Sequence, residues 1–356
     1  MNKLSALRLL GAAKNKVLTG PEIIHFEIIN ACNLKCIFCW YHTPSKKDIS
    51  RSLSKRRMMS YLLFKRTIDE CQKLKVARVK VSAQGEPSLH PYFREMIVYL
   101  KDKDLYVTLF SNGTFEQDVA RQLNNINEIW IDLSAATPEL YKTIQSQNKN
   151  DLFDNVIENL DYFRTLKAKH LKCPQIKINF ILNNKNYHEL PLIFNLARRY
   201  KIDYLNIPNV NVYEDTREFG INRKEMLKKI NGIFNKLAAD NTLFRIKSNV
   251  SVNYHLHHRF LNRQAPLKPK ACYSGYFFAL VNMNGDVTPC CNIKNELIAG
   301  NLNKASLEEI WFSRRFNKIR DAGEYTLYND EQETCRQCCF AEFNNRVHSQ
   351  IHCLRK

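Results

Sequence analysis

What this 356-residue sequence lacks narrows its identity first. No run of eighteen or more apolar residues occurs, so no segment reads as a membrane-spanning helix. The opening stretch, Met1 to Gly20, holds only a brief apolar run, Leu9 to Ala13, between lysines and arginines, which does not make a secretory signal. No GxGxxG or Walker loop follows the first predicted strand, so a dinucleotide-binding or P-loop fold lacks its key residues. Negative charge is scarce: 35 Asp and Glu stand against 54 Lys and Arg, a formal charge of +19. Such an excess attracts nucleic acid, a phosphorylated small molecule or an acidic electron carrier. No aromatic RNP stripe or GXXG loop accompanies it, so no nucleic-acid partner is expected, and a solvated basic surface explains the charge equally well. There is no internal repeat.

Cysteine, by contrast, is plentiful. Twelve cysteines without an export signal argue against a disulfide framework and for metal or redox chemistry, with a cytoplasmic location expected. Cys32, Cys36 and Cys39 crowd into eight residues, six more lie between Cys272 and Cys339, and Cys353 sits near the end. Cys71 and Cys173 are isolated and read as small buried hydrophobes.

An apolar fraction of 44% fills the core of one large α/β domain and a smaller one. Six strands are predicted at Ile23 to Ile29, Ala77 to Ala83, Leu105 to Ser111, Glu128 to Ser134, Gln175 to Leu182 and Tyr204 to Val210. Between them, Tyr61 to Leu74, Pro91 to Lys103, Phe115 to Leu123, Leu152 to Lys167 and Glu189 to Tyr200 carry apolar residues at helical spacing. Alternating strands and helices of this kind build a parallel sheet, open or closed into a barrel, with its active site at the C-terminal strand edge. A helical stretch around Arg223 to Ala238 and a Pro-, Lys- and His-rich connector follow. Near Ala271 a second unit begins: a hairpin of Tyr276 to Asn282 and Asp286 to Pro289 around the Asn284-Gly285 turn, then a helix at Ser306 to Arg320. Leu4, Leu7 and Leu10 with Lys3, Arg8, Lys14 and Lys16 give the N-terminus an amphipathic pattern, which more often packs on its own domain than on lipid.

The first cysteine group, ACNLKCIFCW, has CX3CX2C spacing directly after the first strand. Three thiolates on one loop can hold three irons of a cubane and leave the fourth open; a zinc site or redox trio is the alternative, though zinc normally takes four ligands. The spacing, with Phe38 before the third cysteine, resembles the signature of the radical S-adenosylmethionine (SAM) superfamily. The resemblance implies a [4Fe-4S] cluster on Cys32, Cys36 and Cys39 and reductive cleavage of SAM to a 5′-deoxyadenosyl radical. Gln84-Gly85-Glu86-Pro87 is similar to the family's GGEP segment, with Gln84 in place of its first glycine, and Ser111-Asn112-Gly113-Thr114 to the ribose-contacting segment. Gly85, Glu86, Ser111, Asn112 and Asp132 are accordingly the expected SAM contacts, Glu86 toward the amino group. Alternation places Asp132 and Ser134 on one strand face, whether toward lumen or helices.

Cys272, Cys290, Cys335 and Cys338 form a spread tetrad that would saturate a second, auxiliary [4Fe-4S] cluster, or alternatively close a zinc site. The segments VNMNGDVTPCC, GNLNKASLEEIW and CRQC resemble the SPASM/Twitch extension of the same superfamily. Asn344 and His348 occupy the positions where further motif cysteines would fall, which favours the single-cluster form and leaves Cys291, Cys339 and Cys353 as spares.

The resemblance thus implies an α/β fold: a partial (β/α)6 radical SAM barrel over 22–210, after an N-terminal extension 1–21 and before a helical connector 211–270 and a small SPASM/Twitch-like iron-sulfur domain over 271–356. The expected activity is hydrogen abstraction from a small polar substrate, anionic if the charge selects it: a sugar, aminocyclitol or other alcohol, oxidised or epimerised. In cluster layout the chain resembles the dehydrogenase of the butirosin pathway. A ribosomal-peptide maturase is the alternative, disfavoured by the roughly twenty residues before the first strand, too few for a leader-binding domain. A non-enzymatic cluster protein binding RNA or protein leaves the GEP and SNG segments unexplained. Ferredoxin or flavodoxin is the expected electron donor. Tyr254, His255, His257 and His258 sit in the connector within possible reach of the barrel mouth, yet no base is assignable.

Overall fold

In a computed structural model of the chain, residues 3–43, 56–147, 152–210, 218–221, 224–252, 270–291, 297–325, 338 and 340–354 are described. Six parallel strands, β1 (Ile23–Glu27), β2 (Arg78–Ser82), β3 (Tyr106–Ser111), β4 (Glu128–Asp132), β5 (Gln175–Asn179) and β6 (Tyr204–Asn206), pair in sequence order. Each lies inside its predicted span and is shorter, because the chain leaves the ladder early at the strand ends to build the loops described below.

Period-two alternation divides the sheet cleanly. Ile24, Phe26, Val79, Val81, Leu109, Ile129, Ile131, Ile176, Ile178 and Leu205 are completely or almost completely buried on one face. They join one core with Phe64 and Ile68, Met96 and Ile97, Val156 and Leu160, and Ile193 and Phe194 from the crossover helices. Each such side chain contributes about 1.5–3 kcal/mol on leaving water. The opposite face carries His25, Glu27, Lys80, Ser82, Phe110, Trp130, Asp132, Lys177, Asn179 and Asn206. That polar and aromatic face is the lumen.

Helix α1 (Lys3–Ala13) precedes β1; α2 (Tyr61–Lys73), α3 (Phe93–Lys101), α4 (Gln117–Gln122), α5 (Leu152–Ala168) and α6 (Leu190–Arg199) are the crossovers, and α7 (Lys224–Ala239) follows β6. The amphipathic N-terminus docks on its own chain: Leu9 and Ala12 pack with Tyr273, Tyr276, Phe277, Val347 and Ile351. Arg8, 2% exposed, donates to the carbonyls of Gly20 and Pro21 at 3.0 and 3.1 Å. No described helix is long and apolar enough to cross a membrane.

The hairpin of the second unit does not stand apart from the sheet. Its first strand, β7 (Phe278–Val281), pairs parallel with β1, and β8 (Asp286–Thr288) and β9 (Gly300–Asn301) continue antiparallel, so the sheet has nine strands among the described residues. Gly285, at φ +84°, makes the predicted turn. Tyr276 and Phe277 belong to a helical turn, Ser274–Phe277, rather than to the strand. The single helix expected at Ser306 to Arg320 is two, α8 (Leu307–Trp311) and α9 (Arg314–Tyr325): Ser306 and Glu309 form a capping box on the first, and the Ser313 hydroxyl accepts the Phe316 amide at 3.0 Å to start the second. Helix α10 (Ala341–Leu354) closes the described chain.

Candidate iron-sulfur and S-adenosylmethionine site

All six barrel strands end toward one edge, and the cysteine loop leaves β1 there. Sulfur is met by backbone donors: Leu34 N–H points to Cys32 Sγ at 3.4 Å, and those of Tyr41 and His42 to Cys39 Sγ at 3.4 and 3.2 Å. The loop is strapped to a π-helical turn, Lys142–Ser146, where the carbonyls of Gln145 and Ile144 accept from Lys35 and Ile37, both at 3.0 Å. π-turns recur at functional sites because the inserted residue re-aims the carbonyls beside it. Burial pushes the Cys32 thiol up to about 12, with the charges of Glu86 and Cys39 adding. Cys36 is raised well above its ordinary value by burial and then by Cys39, Cys32 and Asp132. The three sulfurs therefore sense one another's charge, and their thiolates need a cationic centre between them; the donor set fits an iron-sulfur cluster. Among the described residues no three His, Cys, Asp or Glu close on a single ion. In a cubane each thiolate takes its own iron.

The GEP segment lies against the root of this loop. Gln84 N and Gly85 N donate to Ile29 O at 3.1 and 3.3 Å, and Glu86 N to Ala31 O at 2.8 Å. A Cβ on Gly85 would stand 1.8 Å from Ala31 O, so the close approach requires glycine. Gln84, the departure from the motif, uses its side chain: Nε2 donates to Glu27 Oε2 at 2.9 Å. Glu86 is 1% exposed, and its carboxylate accepts from Ser88 N and Oγ, Ser111 Oγ and Asn112 N at 2.7–3.1 Å. Burial raises its pKa and those four bonds oppose the rise. Rather than reaching outward, this carboxylate ties the end of β2 to the end of β3. Asn112 in turn donates to Asn33 Oδ1 at 2.9 Å, and Asn33 to Thr114 Oγ1 at 2.8 Å, so the SNG turn and the cysteine loop hold each other.

Asp132 faces the lumen, not the helices: its strand neighbour Ile131 is fully buried on the other face. Asn206 donates to Asn179 Oδ1 at 2.7 Å and Asn179 to Asp132 Oδ1 at 3.0 Å, a chain across three strands. Burial pushes Asp132 up to about 6; the Asn179 bond opposes and Glu86 adds. Sequence reasoning missed Glu27, 7% exposed at the lumen end of β1 and pushed up to about 7 by burial against the Gln84 bond. Its alternation with the apolar Ile24 and Phe26 along β1 is the signal that could have found it. Deeper in the lumen, Glu128 pairs with Lys177 at 3.0 Å and accepts from Tyr106 at 2.9 Å and from Trp130, while Lys177 lies over the Trp130 ring.

In the second group, Cys272 Sγ lies 3.1 Å from Ser274 Oγ, and Cys290 ends the β7–β8 hairpin, its carbonyl accepting from Thr288 Oγ1 at 2.8 Å. Cys338 is partly buried, and Cys291 and Cys353 are exposed. Cys335, Cys339, Tyr254, His255, His257 and His258 lie outside the described residues. Asn344 and His348 both serve the residue after Cys272: Asn344 Oδ1 accepts from Tyr273 N at 2.8 Å, and His348 Nδ1 meets Tyr273 Oη at 3.0 Å.

The family model of the radical SAM superfamily matches residues 26–197, and that of the SPASM iron-sulfur cluster-binding domain matches residues 272–339. The chain is a radical SAM protein with a C-terminal SPASM domain. It is 22% identical over 349 residues to the tungsten-containing aldehyde ferredoxin oxidoreductase cofactor-modifying protein of Pyrococcus furiosus, covering 89% of this chain and 87% of that protein. It is 23% identical over 317 residues to a mycofactocin maturase of Mycolicibacterium smegmatis, covering 85% and 74%. In fold it is similar to Streptococcus suis SuiB bound to S-adenosylmethionine, with a TM-score of 0.65, 15% identity, and coverage of 94% of this chain and 74% of that one. A SAM-binding [4Fe-4S] cluster, an auxiliary iron-sulfur cluster and SAM itself are the cofactors of this domain pair.

Proposed function

We propose that this radical SAM enzyme modifies a residue within a peptide, with Cys32, Cys36 and Cys39 holding the SAM cluster and Cys272, Cys290, Cys335 and Cys338 the auxiliary one. When bound, the first cluster and SAM supply a 5′-deoxyadenosyl radical for hydrogen abstraction. The chain's part is positional. Gly85 brings the backbone of β2's end against the cysteine loop, Glu86 locks Ser111 and Asn112 in place, and Asn179 aims Asp132 at the strand edge where SAM would lie. The observation that carries the peptide reading is the likeness to a PqqA peptide cyclase of Bradyrhizobium diazoefficiens, 21% identical over 91% of this chain and 80% of that protein, beside that to the mycofactocin maturase. It favours this alternative over the small sugar or alcohol that the resemblance in cluster layout suggested as main substrate. The likeness to a cofactor-modifying protein, with the +19 charge, favours a second reading, an anionic cofactor precursor. A basic surface also suits an acidic ferredoxin or flavodoxin as electron donor.

The test is anaerobic. The reconstituted chain is given SAM and dithionite together with either a uniformly deuterated peptide digest or a uniformly deuterated sugar pool, and 5′-deoxyadenosine is collected. Deuterium in the product from peptides supports the reading, because abstraction moves the label from substrate carbon to the adenosyl 5′ carbon. Label from sugars alone reverses it. No 5′-deoxyadenosine from any mixture removes the radical role.

A further inference from the structure

One buried polar atom beside the cysteine loop has no use within the folded chain. The hydroxyl of Tyr141, a residue 1% exposed, has no hydrogen-bond partner among the described residues. Burying an unsatisfied hydroxyl is costly, so such an atom asks for a ligand. Its ring is fixed: it packs on Phe153 with centroids 5.4 Å apart, and its backbone N–H donates to Thr137 O at 3.0 Å. Tyr141 immediately precedes the π-turn whose carbonyls hold Lys35 and Ile37, so it is anchored to the segment that grips the cysteine loop.

The charges the hydroxyl senses are those of Cys36, Glu86 and Cys32. Glu86 already accepts four hydrogen bonds, none from Tyr141. No cysteine sulfur bonds it either, so the acceptor left to it is one that the bound cluster would bring. The three sulfurs are served differently: Cys39 takes the backbone N–H groups of Tyr41 and His42, Cys32 those of Leu34 and Asn33, and Cys36 is approached by the side chain of Gln145.

Resting on the function proposed above, we infer that Tyr141 donates a hydrogen bond to sulfur of the SAM cluster once it is bound and thereby sets its reduction potential. It is a positioning and tuning residue. Hydrogen bonds to cluster sulfur stabilise the more negative, reduced form, so losing one lowers the potential.

The variant is Tyr141→Phe, which deletes one oxygen and keeps the ring on Phe153. Parent and variant are reconstituted as full chains, iron and sulfide are counted, and both clusters are titrated by EPR without SAM. The SAM cluster is recognised by the change of its signal when SAM is added afterwards. The expected result is equal iron content, a lowered midpoint for the SAM-responsive cluster and an unmoved auxiliary midpoint. A tenfold loss of preference for the reduced form corresponds to about 59 mV for one electron. An unchanged midpoint overturns the inference, and weaker SAM binding beside it would assign the hydroxyl to SAM instead. Equal shifts in both clusters also overturn it, since they report a global change. A parent that takes up no SAM-responsive cluster overturns the proposed function along with the inference.

Discussion

Gly85→Ala is the sharpest perturbation of the site. The new Cβ would lie 1.8 Å from Ala31 O, 2.3 Å from Ala31 C and 2.9 Å from Asn30 C, all backbone atoms that cannot swing aside. Relief needs the two segments to part by more than about 1 Å, which breaks the bonds from Glu86 N to Ala31 O and from Gln84 N to Ile29 O. Two backbone hydrogen bonds at about 0.5–1.5 kcal/mol each, with overpacking strain of about 1–3 kcal/mol, give a loss of roughly 2–6 kcal/mol. Because Ala31 adjoins Cys32, the displacement also reaches the first of the proposed cluster ligands. Urea denaturation of the empty chain measures the stability, and iron content with 5′-deoxyadenosine yield measures the site. Gly232→Ala is the control: its Cβ meets nothing within 4 Å inside α7, so it is expected to be stabilising by about 0.5–1 kcal/mol. Gly85→Ala with parental stability and full iron loading would refute the close-approach argument.

Three further outcomes follow from the same geometry. Replacing Cys32, Cys36 and Cys39 together by Ala is expected to halve bound iron from about eight to about four per chain and abolish 5′-deoxyadenosine, measured by iron assay and chromatography. Glu27 titrates near 7 in the folded chain against an ordinary 4.5, so its proton stabilises the fold fully below about 4.5 and the effect fades as pH rises through 7. The empty chain should lose on the order of 3 kcal/mol at most over that window, and Glu27→Gln should flatten the slope of the urea midpoint between pH 5 and 8. Asn344→Ala strands the Tyr273 amide and is expected to cost about 1–3 kcal/mol and to lower auxiliary iron by misplacing Cys272; unchanged iron in that variant would place Cys272 outside the influence of α10.

The barrel and its cysteine loop were legible because their signals are local: strand alternation, helical spacing, and three cysteines within one turn of chain. Asp132 was placed on a strand face but not on a side, since one strand's pattern does not say which face the helices cover. The pairing of β7 with β1 was invisible. Phe278–Val281 is buried at all four positions and so has no alternation, and its partner lies some 250 residues earlier. Glu27, Gln84 and Tyr141 escaped for a related reason: each matters through residues far along the chain. The break between α8 and α9 turned on one serine hydroxyl, which helical periodicity does not register. Substrate class was the least legible feature, because neither charge nor a resemblance in cluster layout reports the shape of what is bound.

The place of β7 has a practical consequence for dissecting the molecule. A fragment ending at residue 270 would leave β1, the strand that leads into the cysteine loop, as an unprotected sheet edge, with the Phe278 to Val281 ladder gone. Unpaired edges invite strand addition from neighbouring chains, so such a barrel-only fragment should aggregate even with every SAM contact intact. The SPASM segment is therefore a built-in edge guard for the catalytic barrel as well as a carrier of cysteines.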